Sequence, residues 1–383
     1  MKIRTVTTGM SLPSIQDRGE IEEAAEFNQI AKKILEQEGY EVQTTRIATN
    51  SWEEYTPDLS KSQIVNAIKN IEKICKQQDV SFFNIGPATQ PGSIELIPEI
   101  IQSSTLISAS AEIGNIDQGI KYDNIKSSAQ VIKKIARKTD RGYGNFRFCA
   151  WSNCPPGIPF FPAAYHRGEQ PAFAIGLENG DLAEKAFSRA SNIEEARIQL
   201  KNIFEDKLEP VFEIGKTLSD EQNIKFSGID SSLAPGLSKK DSIAYAYEKL
   251  LPEKFGYQGT LAVSSMITDV LKNLSVKTCG YSGLMLPVCE DRGLAERANE
   301  KTYDLTNLLL YSTVCGCGLD TVPVPGDITE DQLQNILLDT STLAIKLDKP
   351  LSVRLFPVHG KTAGQTTDFQ SPYLTDCKIL EVK

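Results

Sequence analysis

Lys2-Ile3-Arg4-Thr5-Val6-Thr7-Thr8, then the stretch from Glu20 to Glu38, then Glu41 to Thr49, decide how the rest of this chain is read. The first run is rich in β-branched residues and reads as a strand. Between Glu20 and Glu38 the apolar residues fall at Ile21, Ala24, Ala25, Phe27, Ile30, Ile34 and Leu35, a helical spacing. Glu41 to Thr49 reads as a second strand. Strand, helix, strand is a crossover unit, and a chain that repeats it builds a parallel sheet covered by helices.

The unit repeats. Ser60 to Lys76 carries Ile64, Ala67, Ile68, Ile71 and Ile74 on one stripe, and Val80 to Ile85 is a buried-type strand closed by Gly86-Pro87. Ile94 to Ile101, Thr105 to Ala109, Ser127 to Lys138 and Asn145 to Ala150 alternate helix, strand, helix, strand. Ala172 to Gly176, Phe226 to Asp230 and Leu351 to Val358 read as further strands, and Ser282 to Cys289 as a run reached from two consecutive helices. Helices are expected at Ile193 to Glu213, Ser242 to Leu251, Thr260 to Leu274, Tyr303 to Tyr311 and Glu330 to Ala344. Roughly eight to ten strands, with no linker or charge run between them, predict one closed or nearly closed α/β barrel over residues 1–383 rather than two domains.

A composition of 40% hydrophobic and 24% charged residues excludes a disordered or fibrous chain. A net charge of -9 repels phosphate backbones and anionic lipid heads, so neither nucleic acid nor a membrane is an expected partner. No apolar run resembles a secretory signal or reaches the roughly 18 residues of a membrane span, and a cytoplasmic protein is expected. In that compartment the eight cysteines are thiols, ligands or buried small hydrophobes.

The segment densest in chemistry is Cys315-Gly316-Cys317-Gly318-Leu319-Asp320-Thr321-Val322-Pro323-Val324-Pro325-Gly326-Asp327. Its glycines let the main chain approach a ligand and its prolines stiffen what reads as a loop carrying two acids. Asp320 stands before a β-branched run, where a carboxylate calls for a cation, a metal or a cluster of donors; Asp327 has an N-cap role as its alternative. Cys315 and Cys317 are too closely spaced to close a zinc cage alone. Cys149 with Cys154 and Cys279 with Cys289 also end predicted strands, so the three pairs either converge or lie buried independently. The two histidines, His166 beside Arg167 and His359 beside Lys361, sit in polar glycine-bearing loops, as acid/base candidates or as idle surface residues. Asp230-Ser231-Ser232 ends another strand, with a turn or cap as its alternative. Dinucleotide and P-loop glycine patterns, the hydrolase elbow and the zinc-protease helix are all missing.

At Gly318 to Asp327, and about thirty residues later at Pro357-Val358-His359-Gly360-Lys361-Thr362-Ala363-Gly364, the chain resembles the domain of unknown function family 711 (DUF711). Asp230-Ser231-Ser232-Leu233-Ala234-Pro235 and the small residues from Gly280 to Gly283 extend the resemblance over most of the chain. It implies a pyruvate formate-lyase-like α/β barrel of ten strands with a central site, often as a homodimer. Glycyl-radical enzymes of the related fold carry a radical glycine near the C-terminus that this chain lacks, so radical chemistry is not expected.

The leading expectation is therefore an enzyme that binds a small polar metabolite in a central pocket and performs a lyase, isomerase or hydrolase step on it. Asp230, Asp320 and Asp327 would hold a divalent cation (calcium, magnesium or zinc) or a cationic substrate. His359 would act as acid/base, while Arg167 and Lys361 would neutralise an anionic group. Thiol chemistry at Cys315 or Cys317, and a metabolite sensor without turnover, are the alternatives.

Overall fold

The computed structural model describes all 383 residues. The expected alternation is present, and its strands join one sheet: β1 (Lys2–Met10), β2 (Val42–Thr49), β3 (Phe82–Ala88), β4 (Ile107–Asn115), β5 (Gly119–Ile120), β6 (Phe148–Ser152), β7 (Ala172–Glu178), β8 (Lys225–Asp230), β9 (Gly318–Pro325) and β10 (Leu351–Val358). They run in the order β8-β7-β1-β2-β3-β4-β6-β10-β9, with β5 a short hairpin on β4. β1, β2, β3, β4 and β6 are mutually parallel. β7 and β10 join their flanks antiparallel, each adding a parallel neighbour, β8 or β9. Strands such as β1 are buried on both faces, as a sheet covered by helices requires.

The covering helices form for local reasons. Residues Lys61–Gln77 turn Ile64, Ile68 and Ile71 inward and start at Ser60, whose side chain and that of Gln63 form a reciprocal capping box. Thr329 and Gln332 open the helix Glu330–Lys346 in the same way. The helix Ile193–Gln222 runs nine residues beyond its expected end at Glu213, and Arg292–Glu300 is a further helix, capped by Asp291. One continuous apolar core extends from Ile3 to Leu380. No helix is long and apolar enough to cross a membrane.

The hydrogen-bond ladder does not close into a barrel, because β8 and β9 are not paired with each other. Residues 277–288 fill the gap with isolated bridges only: Ile229 to Thr278 and Leu233 to Leu284 on one side, Pro287 to Asp320 on the other. The irregularity has a cause in the chain itself. Gly280 has φ +64°, and Gly283 passes so near Gly316 that a Cβ on it would lie 2.3 Å from the Gly316 Cα. Asp230, fully buried, anchors the segment by accepting from the backbone N–H groups of Ser232, Tyr281 and Ser282 at 3.0, 2.9 and 3.0 Å and from the Ser232 hydroxyl at 2.6 Å.

The connection from β6 to β7 is held against β1, β2 and β3. The Pro159 carbonyl accepts from Thr7 Oγ1 (2.8 Å), the Pro162 carbonyl from Asn84 Nδ2 (2.7 Å), and His166 N donates to the Thr49 carbonyl (2.9 Å). Its tip, Phe160 to Ala163, faces one cavity, while Pro156 to Ile158 and Tyr165 to Gln170 face another.

Candidate functional site

The first of these cavities, about 450 Å³, is lined by side chains from eight strands, by the Phe160–Ala163 tip, and by Tyr281, Met285, Glu290 and the C-terminal Pro372 and Tyr373. Its volume suits a small molecule. What sets it apart is charge held inside the fold. Arg354, 9% exposed, reaches Asp320 Oδ1 through Nε at 2.7 Å and Glu290 Oε1 through Nη2 at 2.6 Å. Arg4, at a bulge in β1, lies 3.8 Å from Glu290 Oε2 and 3.1 Å from Glu178 Oε2. The result is a chain of alternating charge, Glu178, Arg4, Glu290, Arg354, Asp320, along the cavity wall.

Electrostatics within the chain are unequal. Burial raises the Glu290 carboxyl above its ordinary range; Asp320 adds to that rise, and Arg354, Arg4 and, more weakly, Arg46 oppose it. Arg354 loses hydration on burial, yet Asp320 and Glu290 more than restore its charge, pushing its pKa up. Arg46 on β2 stands apart. Burial, with Arg4 and Arg354 facing it and Glu290 opposing them, pushes its guanidinium down to about 9. Tyr281 donates its hydroxyl to Ser352 Oγ at 3.0 Å, and burial keeps the phenol protonated.

The side chains selected from sequence are dispersed around this cavity. Asp320 lines it, and the cation that faces it is Arg354. Asp230 spends its oxygens on holding residues 277–288, and Asp327 is exposed beyond β9, where Thr329, not Asp327, caps the next helix. A shared cation site from Asp230, Asp320 and Asp327 is therefore not assembled, and no three His, Cys, Asp or Glu side chains group as metal ligands elsewhere. His359 is exposed at the end of β10, about 16 Å along the strand from Arg354. Lys361 donates to the Thr366 carbonyl at 2.7 Å. His166 and Arg167 line the second cavity, of about 270 Å³, where burial lowers the His166 pKa.

The cysteine pairs converge only in part. Cys149, Cys154 and Cys317 share a small apolar cluster with Trp151 and Tyr281, and Cys149 and Cys317 reach the cavity wall. Cys315 is buried in the main core, its carbonyl accepting from Lys349. Cys289 instead lies 3.8 Å, sulfur to sulfur, from Cys377. Burial pushes the Cys149 and Cys317 thiols well up and Cys154 to about 12, so all three are neutral near pH 7.

Arg4, Arg46, Glu178, Glu290 and Arg354 did not emerge from motif reasoning. One signal was available: Arg4, Arg46 and Arg354 each interrupt an otherwise buried strand, where a charge is costly without a partner.

Residues 1–370 match the model of the family described as Uncharacterised ACR (DUF711). A UPF0210 protein of Methanocaldococcus jannaschii is 26% identical over 425 residues, covering 100% of this chain and 91% of its own length. One of Carboxydothermus hydrogenoformans is 26% identical over 399 residues, covering 96% and 88%. Among solved structures, an anaerobic ribonucleotide reductase superposes with a TM-score of 0.45 at 9% identity, covering 92% of this chain and 70% of that one, a likeness that says nothing about chemistry.

Proposed function

The chain belongs to the Uncharacterised ACR (DUF711) family, and from that premise we propose an enzyme that performs lyase, isomerase or hydrolase chemistry on a small polar metabolite enclosed in the 450 Å³ cavity, with Glu290 as its proton-transferring group. The observation that carries this reading is the buried charge chain from Glu178 to Asp320 on the cavity wall. Apolar residues of similar volume stabilise a fold at least as well as a buried ion network, so stability alone is a weak reason for one. Beside a cavity, the same network sets proton affinities and orients substrate. Glu290, raised by burial and faced by two guanidiniums, can hold a proton at a higher pH than a free carboxyl and release it as the guanidiniums stabilise its anion.

The test is conversion. Purified protein is incubated with a small-metabolite extract and the extract is followed by mass spectrometry, beside Glu290→Gln. The expected outcome is a metabolite consumed by the wild type and converted about 100-fold or more slowly by the variant, which still binds it. Equal consumption by both proteins removes Glu290 from the chemistry. Metabolites that bind and return unchanged make the cavity a sensor's.

A further inference from the structure

We infer that Arg46 is the anchor for a carboxylate group of the molecule this cavity takes, an inference that rests on the cavity being the functional site. Its guanidinium stands between two aromatic rings, with Cζ 5.4 Å from the centre of Phe82 and 5.3 Å from that of Phe161. Nε donates to Thr44 Oγ1 at 3.0 Å, and that hydroxyl spends its own proton on the Arg4 carbonyl at 2.7 Å. The plane and direction of the fork are thus set before anything binds. The terminal nitrogens Nη1 and Nη2 have no hydrogen-bond partner in the protein, and Arg46 is on the cavity wall.

No carboxylate lies in salt-bridge contact with it, and Glu290 acts on it only from farther off. Each acid lining the cavity already faces another cation: Glu178 faces Arg4 and Lys2, Glu290 faces Arg354 and Arg4, Asp320 faces Arg354, and Asp241 faces Lys2. Arg46 is the cavity's one guanidinium with no carboxylate in salt-bridge contact, and a half-buried charge so placed is a standing cost. A carboxylate repays it: planar, singly charged, with two oxygens matching the two free nitrogens. A phosphate dianion fits less well, because it needs more donors and would meet Glu290 and Asp320 across the same space. The flanking rings also offer an apolar clamp for the carbon skeleton behind the carboxylate.

The test is a thermal-shift series at millimolar concentration on the full chain. It uses monocarboxylates from acetate to benzoate, the matching carboxamides, and inorganic phosphate. Wild type, Arg46→Lys, Arg46→Met and Glu290→Gln are compared. The expected result is a saturable rise in Tm with at least one carboxylate and none with its amide or with phosphate. Arg46→Lys, which keeps the charge but loses the fork, weakens that response about tenfold. Arg46→Met abolishes it while melting, unliganded, at or above the wild-type temperature. A response to amide equal to that of the acid, a response only to phosphate, no response at all, an undiminished response in Arg46→Met, or an unliganded Arg46→Met that melts lower each overturns the inference. The two readings separate on Glu290→Gln. Carboxylate binding that requires Arg46, with turnover indifferent to Glu290, leaves this inference standing and removes the catalytic one; turnover lost in Glu290→Gln with binding indifferent to Arg46 does the reverse.

Discussion

Glu72 shows at the scale of one residue how this fold uses charge outside its cavity. Its carboxylate accepts from Thr105 N (3.1 Å) and Thr105 Oγ1 (2.7 Å) and pairs with Lys76 Nζ at 2.8 Å, tying the helix Lys61–Gln77 to the approach of β4. Burial works to raise its pKa, but the hydrogen bonds from Lys76 and Thr105 win and hold it at about 2. A carboxyl depressed in the folded state contributes stability that is complete above its ordinary value near 4.5 and is lost as pH falls towards about 2. With allowance for solvent screening, Glu72→Gln is expected to cost about 1–2 kcal/mol at pH 7, a deficit that shrinks through this acid window. Urea denaturation at several pH values measures it, and a deficit independent of pH counts against a charge effect. Glu290 is the opposite case, a carboxyl raised by burial at a cavity. No spacing in the sequence separates the two glutamates, because the difference lies in which strands surround each.

At the scale of the element, the stretch from Cys315 to Asp327 differs most from its reading as a loop. From Gly318 to Pro325 it is β9, paired in parallel with β10 from Ser352 to Val358. Its prolines are compatible with that because β9 ends the regular ladder, where a missing N–H is tolerated, and only one bridge, Pro287 to Asp320, lies on its other side. The glycines before it serve the fold. Gly316 N donates to the Leu284 carbonyl at 3.2 Å, where two backbones cross without room for a Cβ. Gly316→Ala is expected to lose about 3 kcal/mol, or to give little soluble protein, because the obstacle is main chain and cannot rotate away. A loss below about 0.5 kcal/mol in urea denaturation would show that the two segments are not so close. The helices Lys61–Gln77 and Glu330–Lys346, by contrast, were legible almost to their ends, since an apolar stripe at helical spacing and a Ser60/Gln63 or Thr329/Gln332 box are local signals, whereas Gly180–Phe187, Arg292–Glu300 and the last nine residues of Ile193–Gln222 were not.

At the scale of the whole molecule, seven of the eight cysteines are buried and Cys279 is partly so. Burial pushes the Cys279 thiol well up as well. Iodoacetamide at pH 7 is therefore expected to add at most one label to the native protein and eight after denaturation, counted by mass spectrometry. Rapid native labelling of Cys149, Cys154 or Cys317 would instead support thiol chemistry at the cavity. The sequence by itself determined the class of the fold: periods of two and 3.6 residues alternate along the chain, and such patterns are written locally. It also carried the family, through the motifs around Asp320 and His359. Only the tertiary structure decided the site. Arg4 and Arg354 come from opposite ends of the chain and meet at Glu290, from an irregular segment with no strand of its own. Whether a charged side chain is paired, buried or left open to a cavity depends on neighbours remote in sequence, and for Arg46 those neighbours are two rings on different elements and no carboxylate in salt-bridge contact.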